Sequence, residues 1–315
     1  MKLAQLKMLA ELVRQGSNVS RTAQALFIAQ SAISRQIHLL EEELGNPLFL
    51  RRGKRLIEPT SLCTQVLDQI NQIERAEANI RNLAANAANA DTGVLHIGTT
   101  HTQARFFLPP IVAEFRRRFP RVELVIEQGV PNKLVDMLRD NLVDLAICTE
   151  AIGKPSDLTS MPCYGWSHAL VCRADHSLAK TNGSLTLEQL AKQDLVTYSH
   201  QFAGGSHIRD TFSRAGLRPH IVLAAADSDV IKTYVRLGLG VGIIAAMSLD
   251  ADKDGDLVSL PLGHLFGENV TRVAWRTSAV FPAFADACRQ LMLRQGAKLA
   301  AANNPTALPE ERRKN

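Results

Sequence analysis

The first 45 residues carry apolar side chains every three or four positions, which is the spacing of one buried helix face. The first such stripe is ended by Gly16 and predicts a helix. A second helix is expected to begin at about Ser20 and a third at Ser31, because a serine hydroxyl can cap the first turn. The third helix is expected to end at Gly45. The stripes are Leu3, Leu6, Leu9 and Leu12, then Ala23, Ala25 and Leu26, then Ile33, Ile37, Leu40 and Leu44.

Two short apolar runs follow these helices and flank a basic turn at Gly53, which predicts a pair of strands ending near Pro59. Residues 1–58 are therefore expected to form an all-α helix-turn-helix domain with a two-stranded wing.

One long helix is predicted from Pro59 to about Ala90. Its apolar residues alternate in steps of four and three, the pattern of a coiled-coil seam, although Glu77 interrupts them. The seam consists of Val66, Ile70, Ile73 and Ile80. We expect residues 59–90 to form a linker helix that dimerises the chain, with a hinge in the Ala- and Asn-rich segment at its end.

From Gly93 the pattern changes to short β runs that alternate with helical stretches, which indicates an α/β fold with largely parallel sheets. Its roughly 200 residues suffice for two lobes with a cleft between them. We expect this domain to span residues 91–300, and residues 301–315 to form a disordered tail. Strands are predicted at 94–99, 122–127, 143–149, 169–172, 195–198, 221–225 and 241–245, and helices at 105–119, 133–141 and 230–237.

Positive charge is concentrated in the N-terminal region. The 315-residue chain has a formal net charge of +5, and residues 14–55 hold seven Lys or Arg against three Glu, an excess of +4. An excess confined to so short a stretch indicates a polyanionic partner.

The composition argues against several classes of protein and site. The five cysteines are scattered without a Cys-x-x-Cys pair, which favours buried thiols over disulfides or a zinc site. The N-terminal segment is amphipathic rather than a signal peptide, and no stretch is apolar for long enough to cross a bilayer. No H-E-x-x-H, G-x-S-x-G or Walker sequence is present. We therefore expect a cytoplasmic protein without membrane contact, cofactor, metal site or catalytic residues.

The second and third helices have the arrangement of a helix-turn-helix that reads DNA. The polar face of the third helix carries glutamine and arginine, whose bidentate hydrogen bonds suit adenine and guanine edges. Its N-terminal serine and the basic turn suit phosphates. The candidate DNA-binding residues are Ser20, Arg21, Gln30, Ser31, Ser34, Arg35, Arg51, Arg52 and Lys54. The alternative is a generic helical hairpin whose polar face is only solvated.

These residues resemble the N-terminal domain of the LysR-type transcriptional regulators. The resemblance rests on Ser20–Ala25, on the run Gln-Ser-Ala-Ile-Ser-Arg-Gln-Ile from Gln30, and on residues 40–52. It implies a winged helix-turn-helix, a linker helix and a two-lobed sensor domain like that of periplasmic binding proteins. It also implies a homotetramer on two adjacent half-sites of double-stranded promoter DNA, and it leaves open a contact with RNA polymerase.

Later segments, at 99–109, 145–151, 158–166 and 229–242, resemble the CysB branch of that family. Members of this branch control sulfur assimilation in response to sulfate, O- or N-acetylserine, or adenylyl sulfate. The resemblance therefore implies a regulator of sulfur, sulfonate or cysteine genes whose DNA binding responds to such a small anion.

Hydroxyl and amide side chains follow two predicted strand ends, where open α/β sheets bind ligands. Thr100, Thr102 and Gln103 follow the first strand and precede a helix, whose positive end suits an anion. Thr149 ends another strand and is expected in the same crevice. Trp166 is expected to form an apolar wall or a hinge between the lobes. Taken singly, each threonine is equally consistent with helix capping.

One segment departs from the CysB branch. Ala203 stands where the branch carries a ligand-binding threonine, and Gly205 replaces an arginine nearby. His200, Gln201 or Ser206 could take over these contacts. The sequence therefore leaves open a LysR-type regulator of another pathway that senses a different carboxylate. From other classes of protein, it leaves open a solute-binding protein of the same fold and an enzyme acting on a sulfur metabolite.

Overall fold

The computed structural model describes residues 1–53, 55–88, 91–149, 156–181, 183–250 and 252–303. Its contacts form two compact units, Met1–Ala84 and a second that begins at Ala85. A long helix, Ser61–Ala87, runs from the first unit into the second. The domain limits expected at 58, 90 and 300 stay predictions. Residues 304–315 of the expected tail lie outside the described residues.

Helices packed through most of the predicted apolar stripes, with an antiparallel strand pair, form the first unit, whereas Leu3 and Ala25 of those stripes are exposed. Leu9, Leu12, Ile33 and Leu40 are fully buried, and each such side chain contributes roughly 1.5–3 kcal/mol to folding. Gly45 ends the third helix in the left-handed conformation (φ 69°), as expected. The elements are α1 (Leu3–Arg14), α2 (Val19–Leu26), α3 (Gln30–Leu44), β1 (Phe49–Arg52), β2 (Arg55–Pro59) and α4 (Ser61–Ala87).

The serines expected to cap α2 and α3 do not do so. The Asn18 side chain accepts a hydrogen bond from the Arg21 backbone N–H at 3.1 Å, so Asn18 caps α2 and Ser20 already lies in its first turn. Helix α3 follows the extended residue Ala29 and has no side-chain cap, which places Ser31 in its first turn as well. Both serines are exposed.

Part of the predicted seam of the linker helix α4 packs against residues of its own chain. Ile70 is buried in the core of the first unit, whereas Ile73 and Ile80 are 40% and 65% exposed. Glu77, which interrupts the seam, forms an ion pair with Lys7 of α1 at 2.5 Å. The exposed part of the seam, from Ile73 onward, is the part that a second chain could cover.

One mixed sheet of nine strands flanked by helices organises the second unit. Its strands are β3 (Gly93–Thr99), β4 (Val122–Gln128), β5 (Leu145–Thr149), β6 (Leu158–Arg173), β7 (Asp194–Tyr198), β8 (His220–Ala225), β9 (Val241–Ala245), β10 (Leu257–Pro261) and β11 (Glu268–Arg276). Its helices are α5 (Leu108–Arg118), α6 (Pro131–Arg139), α7 (Leu187–Ala191), α8 (Ala203–Arg214), α9 (Ser228–Arg236), α10 (Gly263–Phe266) and α11 (Ala283–Asn303).

The strand order is β4-β3-β5-β11-β6-β9-β7-β8, with β10 paired to β6. Strands β3 and β7 are parallel to both of their neighbours, whereas β6 and β11 run antiparallel to theirs. The expectation of largely parallel sheets is therefore wrong for the middle, where the chain crosses between the two ends. We call β3–β5 with α5 and α6 lobe I, β7–β9 with α8 and α9 lobe II, and β6 and β11 the crossover strands.

The sequence pattern missed β10, β11 and α11 and found only the end of β6. Pro162 and Gly165 interrupt the first half of β6, which nevertheless pairs with β11. Helix α11 reaches Asn303, so it continues into the segment expected to be a tail.

All five cysteines lie within the described residues, and each is buried as a free thiol, as expected. Among the described residues, no helix combines the length and apolarity needed to span a membrane.

Candidate functional site

A groove in the first unit lies between the first turns of α2 and α3 and strand β2. It holds about 1070 Å³ of empty space, part of it open to solvent. Its walls are Gly16, Ser17, Asn18, Val19, Ser20, Gln30, Ser31, Ser34, Leu56 and Ile57. Four of the residues predicted to bind DNA line this N-terminal groove: Ser20, Gln30, Ser31 and Ser34. Arg21 and Arg35 are exposed on the same two helices but are not among its walls.

One carboxylate fixes the wing to α3. Glu41 accepts the Leu48 backbone N–H at 2.9 Å through Oε1 and the Arg51 side chain at 2.6 Å through Oε2. The charge of Arg51 is therefore already paired, while Arg52 is exposed. Lys54 lies outside the described residues. The sequence alone did not reveal that Glu41 holds the wing, because its partners lie on the wing and not on its own helix.

A cleft between lobes I and II brings together five of the six residues predicted for effector binding: Thr100, Thr102, Gln103, Thr149 and Trp166. It holds about 440 Å³ of empty space, part of it open to solvent. Its other walls are Pro131, Tyr198, Phe202, Gly204, Ala226 and Ala245. The sixth residue, Ala203, begins α8 between two of these walls, and its side chain lies outside the described part of the chain.

Hydrogen bonds around this interlobe cleft orient its polar side chains. The Tyr164 hydroxyl donates to Gln103 Oε1, and burial raises the pKa of Tyr164, which keeps the donor protonated. The amide nitrogen of Gln103 is a donor that a ligand in the cleft can use. Trp166 Nε1–H donates to Thr149 Oγ1 at 3.2 Å. This leaves the hydroxyl hydrogen of Thr149 for Thr271, 3.4 Å away, or for a ligand.

Three helices begin at the wall of the interlobe cleft. One continues from β3 after Thr100, α6 starts at Pro131, and α8 follows Phe202. The free N–H groups and the positive dipole end at such positions favour an anion. The start of α9 is different, because the Asp227 carboxylate caps it by accepting a backbone N–H at 2.9 Å. None of the described residues that line the cleft carries a formal charge.

Two family descriptions match the chain. "Bacterial regulatory helix-turn-helix protein, lysR family" matches residues 3–63, and "LysR substrate binding domain" matches residues 88–297. The chain belongs to the LysR family. The match confirms the predicted helix-turn-helix and excludes the alternative of a generic helical hairpin. This LysR protein is a DNA-binding transcriptional regulator rather than an enzyme. Regulators of the LysR family bind promoter DNA and small-molecule effectors and form oligomers.

The LysR protein is similar over most of its length to transcriptional regulators from bacteria. It is 42% identical over 285 residues to the HTH-type transcriptional regulator SsuR of Burkholderia cenocepacia, which covers 90% of this chain and 92% of that one. It is 44% identical over 279 residues to CysB of the same species, which covers 89% of each chain. The crystal structure of the cofactor-binding domain of the Cbl transcriptional regulator matches with a TM-score of 0.59 and 37% identity, over 66% of this chain and 93% of that one.

The backbone around Gly205 of this LysR protein leaves no room for a side chain. A Cβ atom at Gly205 would lie 2.2 Å from the carbonyl oxygen of Ser199, just beyond β7. No side chain fits there unless the backbone moves, so the first turn of α8 excludes an arginine at this position. His200, Gln201 and Ser206, considered as substitutes, are not among the walls of the interlobe cleft.

Sequence reasoning missed two polar residues on the crossover strands of the LysR sensor domain. His168 and Asn269 are fully buried, and their side-chain nitrogen and oxygen atoms have no hydrogen-bond partner among the described residues. The ring of His168 lies 5.0 Å from that of Trp166, centroid to centroid. Burial, together with nearby His207, lowers the pKa of His168 to about 4. The only signal in the sequence was a polar residue within an apolar strand.

His101, which follows β3, has a carboxylate neighbour. Its Nε2 atom lies 3.9 Å from Asp229 Oδ2, and with Asp227 these groups are close enough to hold a metal ion. Asp229, however, is already paired with the side chains of Arg105 at 2.8 Å and Lys232 at 3.3 Å. Two cations on one carboxylate disfavour a metal ion there.

Proposed function

We propose that this LysR protein regulates genes of sulfur assimilation, sulfonate or cysteine metabolism, and that an anion bound in the interlobe cleft sets its affinity for promoter DNA. The similarity to SsuR and CysB supports the pathway, because both relatives match about nine-tenths of the chain. The candidate effectors are sulfate, O-acetylserine, N-acetylserine and adenylyl sulfate.

The observation that carries this proposal is a cleft with N–H and O–H donors but no charged wall among its described residues. Thr100, Thr102 and Gln103 offer donors from lobe I, and the start of α8 offers backbone N–H groups from lobe II. An oxyanion accepts several such bonds, each contributing about 1.5–3 kcal/mol, whereas bonds to a neutral ligand contribute about half as much. The cleft therefore favours an ionised ligand.

An anion that accepts hydrogen bonds from both lobes fixes the angle between them. On this proposal the angle sets the spacing of the DNA-binding units in a homotetramer and hence the bend of the DNA. A coupling of about 1–3 kcal/mol would change DNA affinity by several-fold to roughly a hundredfold. The regulator would act in the cytoplasm on double-stranded promoter DNA, where it could also contact RNA polymerase.

The N-terminal groove is proposed to face the DNA. Gln30, Ser34 and Arg35 would read base edges in the major groove, since they lie on the exposed face of α3. Phosphate contacts are assigned to Ser20, Arg21, Ser31, Arg52 and Lys54. Arg51 would act mainly through its ion pair with Glu41, which holds the wing against α3.

A second candidate is a LysR regulator of another pathway that senses a different carboxylate. It is favoured by the lobe II wall, which lacks a threonine hydroxyl at Ala203 and excludes an arginine at Gly205. Fewer donors on that side suit a planar carboxylate with two oxygens better than a tetrahedral sulfate with four.

Calorimetric titration of the four candidate anions tests the proposal. We expect at least one to bind, and Thr100→Ala to weaken its binding about ten- to a hundredfold, because one charge-assisted hydrogen bond is lost. Thr64→Ala, at an exposed position on α4, should bind like wild type. The same anion should change the affinity for promoter DNA in both proteins, but Thr100→Ala should need an anion concentration about ten- to a hundredfold higher.

The outcome also separates the two candidates. If none of the four anions binds but a small dicarboxylate or aromatic carboxylate does, the second candidate replaces the first. If no anion changes promoter affinity, the effector proposal is wrong, although the LysR assignment stands.

A further inference from the structure

An ion pair joins lobe I to lobe II, close in sequence to the cleft walls Gln103 and Ala226. The Nε atom of Arg105, which follows β3 in lobe I, lies 2.8 Å from Oδ2 of Asp229 in the first turn of α9 in lobe II. The Nε2 atom of His101 lies 3.9 Å from the same oxygen. Asp229 is 29% exposed and Arg105 47%, so the pair is only partly screened by water.

The Asp229 side of this pair is rigidly held. Lys232, one turn further along α9, is almost fully buried and lies 3.3 Å from Asp229 Oδ1. The same ammonium group bonds to the Asp254 carboxylate at 2.6 Å and to the Ser248 carbonyl at 2.9 Å, both in the C-terminal part of the chain. The positive end of α9 further stabilises an acidic residue in its first turn. The carboxylate is thus a fixed partner for a group on lobe I.

The Arg105 side belongs to the segment that forms the effector wall. Gln103–Phe107 is a single π-helical turn, a feature that often occurs at functional sites. The turn directs Gln103 inward, where it is 3% exposed and bonds to Tyr164. Phe106 of the same turn lies beneath both cations, 5.4 Å from Arg105 and 5.7 Å from Lys232. Arg105 and Gln103 therefore belong to the same turn of backbone and are separated only by Ala104.

We propose that Arg105 and Asp229 are positioning residues of the interlobe cleft. Their ion pair holds the π-helical turn so that Thr102 and Gln103 face the ligand, and it holds lobe II against lobe I while the ligand is bound. This inference rests on the proposed function of the cleft. It predicts that breaking the pair weakens ligand binding although neither residue lines the cleft.

Two variants of the full-length protein test the pair, Arg105→Met and Asp229→Asn. With the anion identified by calorimetry, we expect each to raise the Kd by up to about fivefold, the upper end of the range for a partly exposed ion pair. In the double variant the two effects should not add. Arg105→Lys, which keeps the charge, should bind more tightly than Arg105→Met. Arg117→Met, at an exposed arginine on α5, should bind like wild type.

Asp229→Asn is the variant that distinguishes a positioning contact from a simple effect of charge. Removing a negative charge beside an anion site would tighten binding by charge alone, whereas loss of a positioning contact weakens it. The ratio of variant to wild-type Kd should also fall toward one as salt rises, because salt screens the pair. Binding by Asp229→Asn that equals or exceeds wild type overturns the proposal, and so does full additivity in the double variant.

Hydrogen exchange separates this inference from the proposed function. In the ligand-free protein, the backbone amides of residues 101–107 should exchange faster in both variants than in wild type or Arg117→Met. If no candidate anion binds wild type, the proposed effector is wrong, and the exchange result alone decides the role of the pair. Unchanged exchange in both variants means that the pair does not position the turn.

Discussion

At the scale of the residue, one buried histidine should make the stability of the second unit depend on pH. The pKa of His168 is lowered from about 6.5 to about 4, because the folded protein buries its ring without a hydrogen-bond partner among the described residues. Below about pH 6.5 the unfolded chain takes up a proton that the folded chain refuses, so stability falls as the pH falls toward 4. The loss is at most roughly 3 kcal/mol and is absent above pH 7.

His168→Phe should remove this loss. Phenylalanine keeps a planar ring against Trp166 and leaves no buried nitrogen unpaired, so we expect stability at pH 7.5 to be unchanged or higher. Urea unfolding at pH 7.5, 6 and 5 should show a smaller decline for His168→Phe than for wild type. His200→Gln, at an exposed histidine, is the control and should decline like wild type. Equal declines in all three proteins would contradict the assignment.

The position of a site residue could be predicted from the sequence where it depends on neighbouring residues in the chain, and not where it depends on distant ones. Thr100, Thr102 and Thr149 could be predicted because a residue at a strand end lies at the ligand edge of an α/β sheet whatever the rest of the chain does. Tyr164, which orients Gln103, could not, because the two are joined only through the crossover. The pairing of Arg105 with Asp229 was hidden for the same reason.

At the scale of the element, the geometry of the wing depends on Glu41 of α3. Its carboxylate binds both the backbone of β1 and the side chain of Arg51, so we expect Glu41→Gln to loosen the wing and to lower promoter affinity about three- to tenfold. Loss of a negative charge near DNA would by itself raise the affinity. Glu42→Gln, at the exposed neighbouring position, provides that comparison and should bind DNA as well as wild type or slightly better.

Fluorescence titration of promoter DNA across a range of salt measures both effects. The slope of log K against log salt should be the same for wild type and Glu41→Gln, because Glu41 contacts no phosphate, and shallower for Arg52→Ala by about 0.9. Tighter DNA binding by Glu41→Gln would show that charge and not wing geometry dominates.

The elements that the sequence predicted well are those whose signals are local. Helices α1 and α3 follow from apolar spacing with a glycine at or just beyond the end, and β3, β4 and β9 from short β runs between turns. The sequence predicts only the last residues of β6, because Pro162 and Gly165 interrupt the pattern of its first half. Pairing with β11 makes that half a strand. The sheet is mixed because β6 and β11 cross between its two ends, and no pattern of neighbouring residues predicts that crossover.

At the scale of the whole molecule, the chain separates its charge from its sensor. The positive excess lies in residues 14–55, whereas the walls of the interlobe cleft are neutral among the described residues. On the proposed function, an anion in the cleft would be held by hydrogen bonds and would not compete with DNA for the same charges. The linker helix, which runs from the first unit into the second, would then carry the signal between the two sites.

The exposed part of the linker seam should govern that assembly. Ile80 and Leu83 are 65% and 57% exposed within one chain, an exposure typical of apolar residues that a second helix covers. We expect Ile80→Glu to shift the protein to smaller species in sedimentation velocity and to weaken promoter binding at least about tenfold, because two linked half-site contacts become independent. Gln72→Glu, at an exposed position of the same helix, adds the same charge and should sediment like wild type. Anion affinity should stay unchanged in both variants, since the interlobe cleft is built from residues of the second unit alone. If Ile80→Glu sediments like wild type, another surface joins the chains, and the linker helix only spaces the two units.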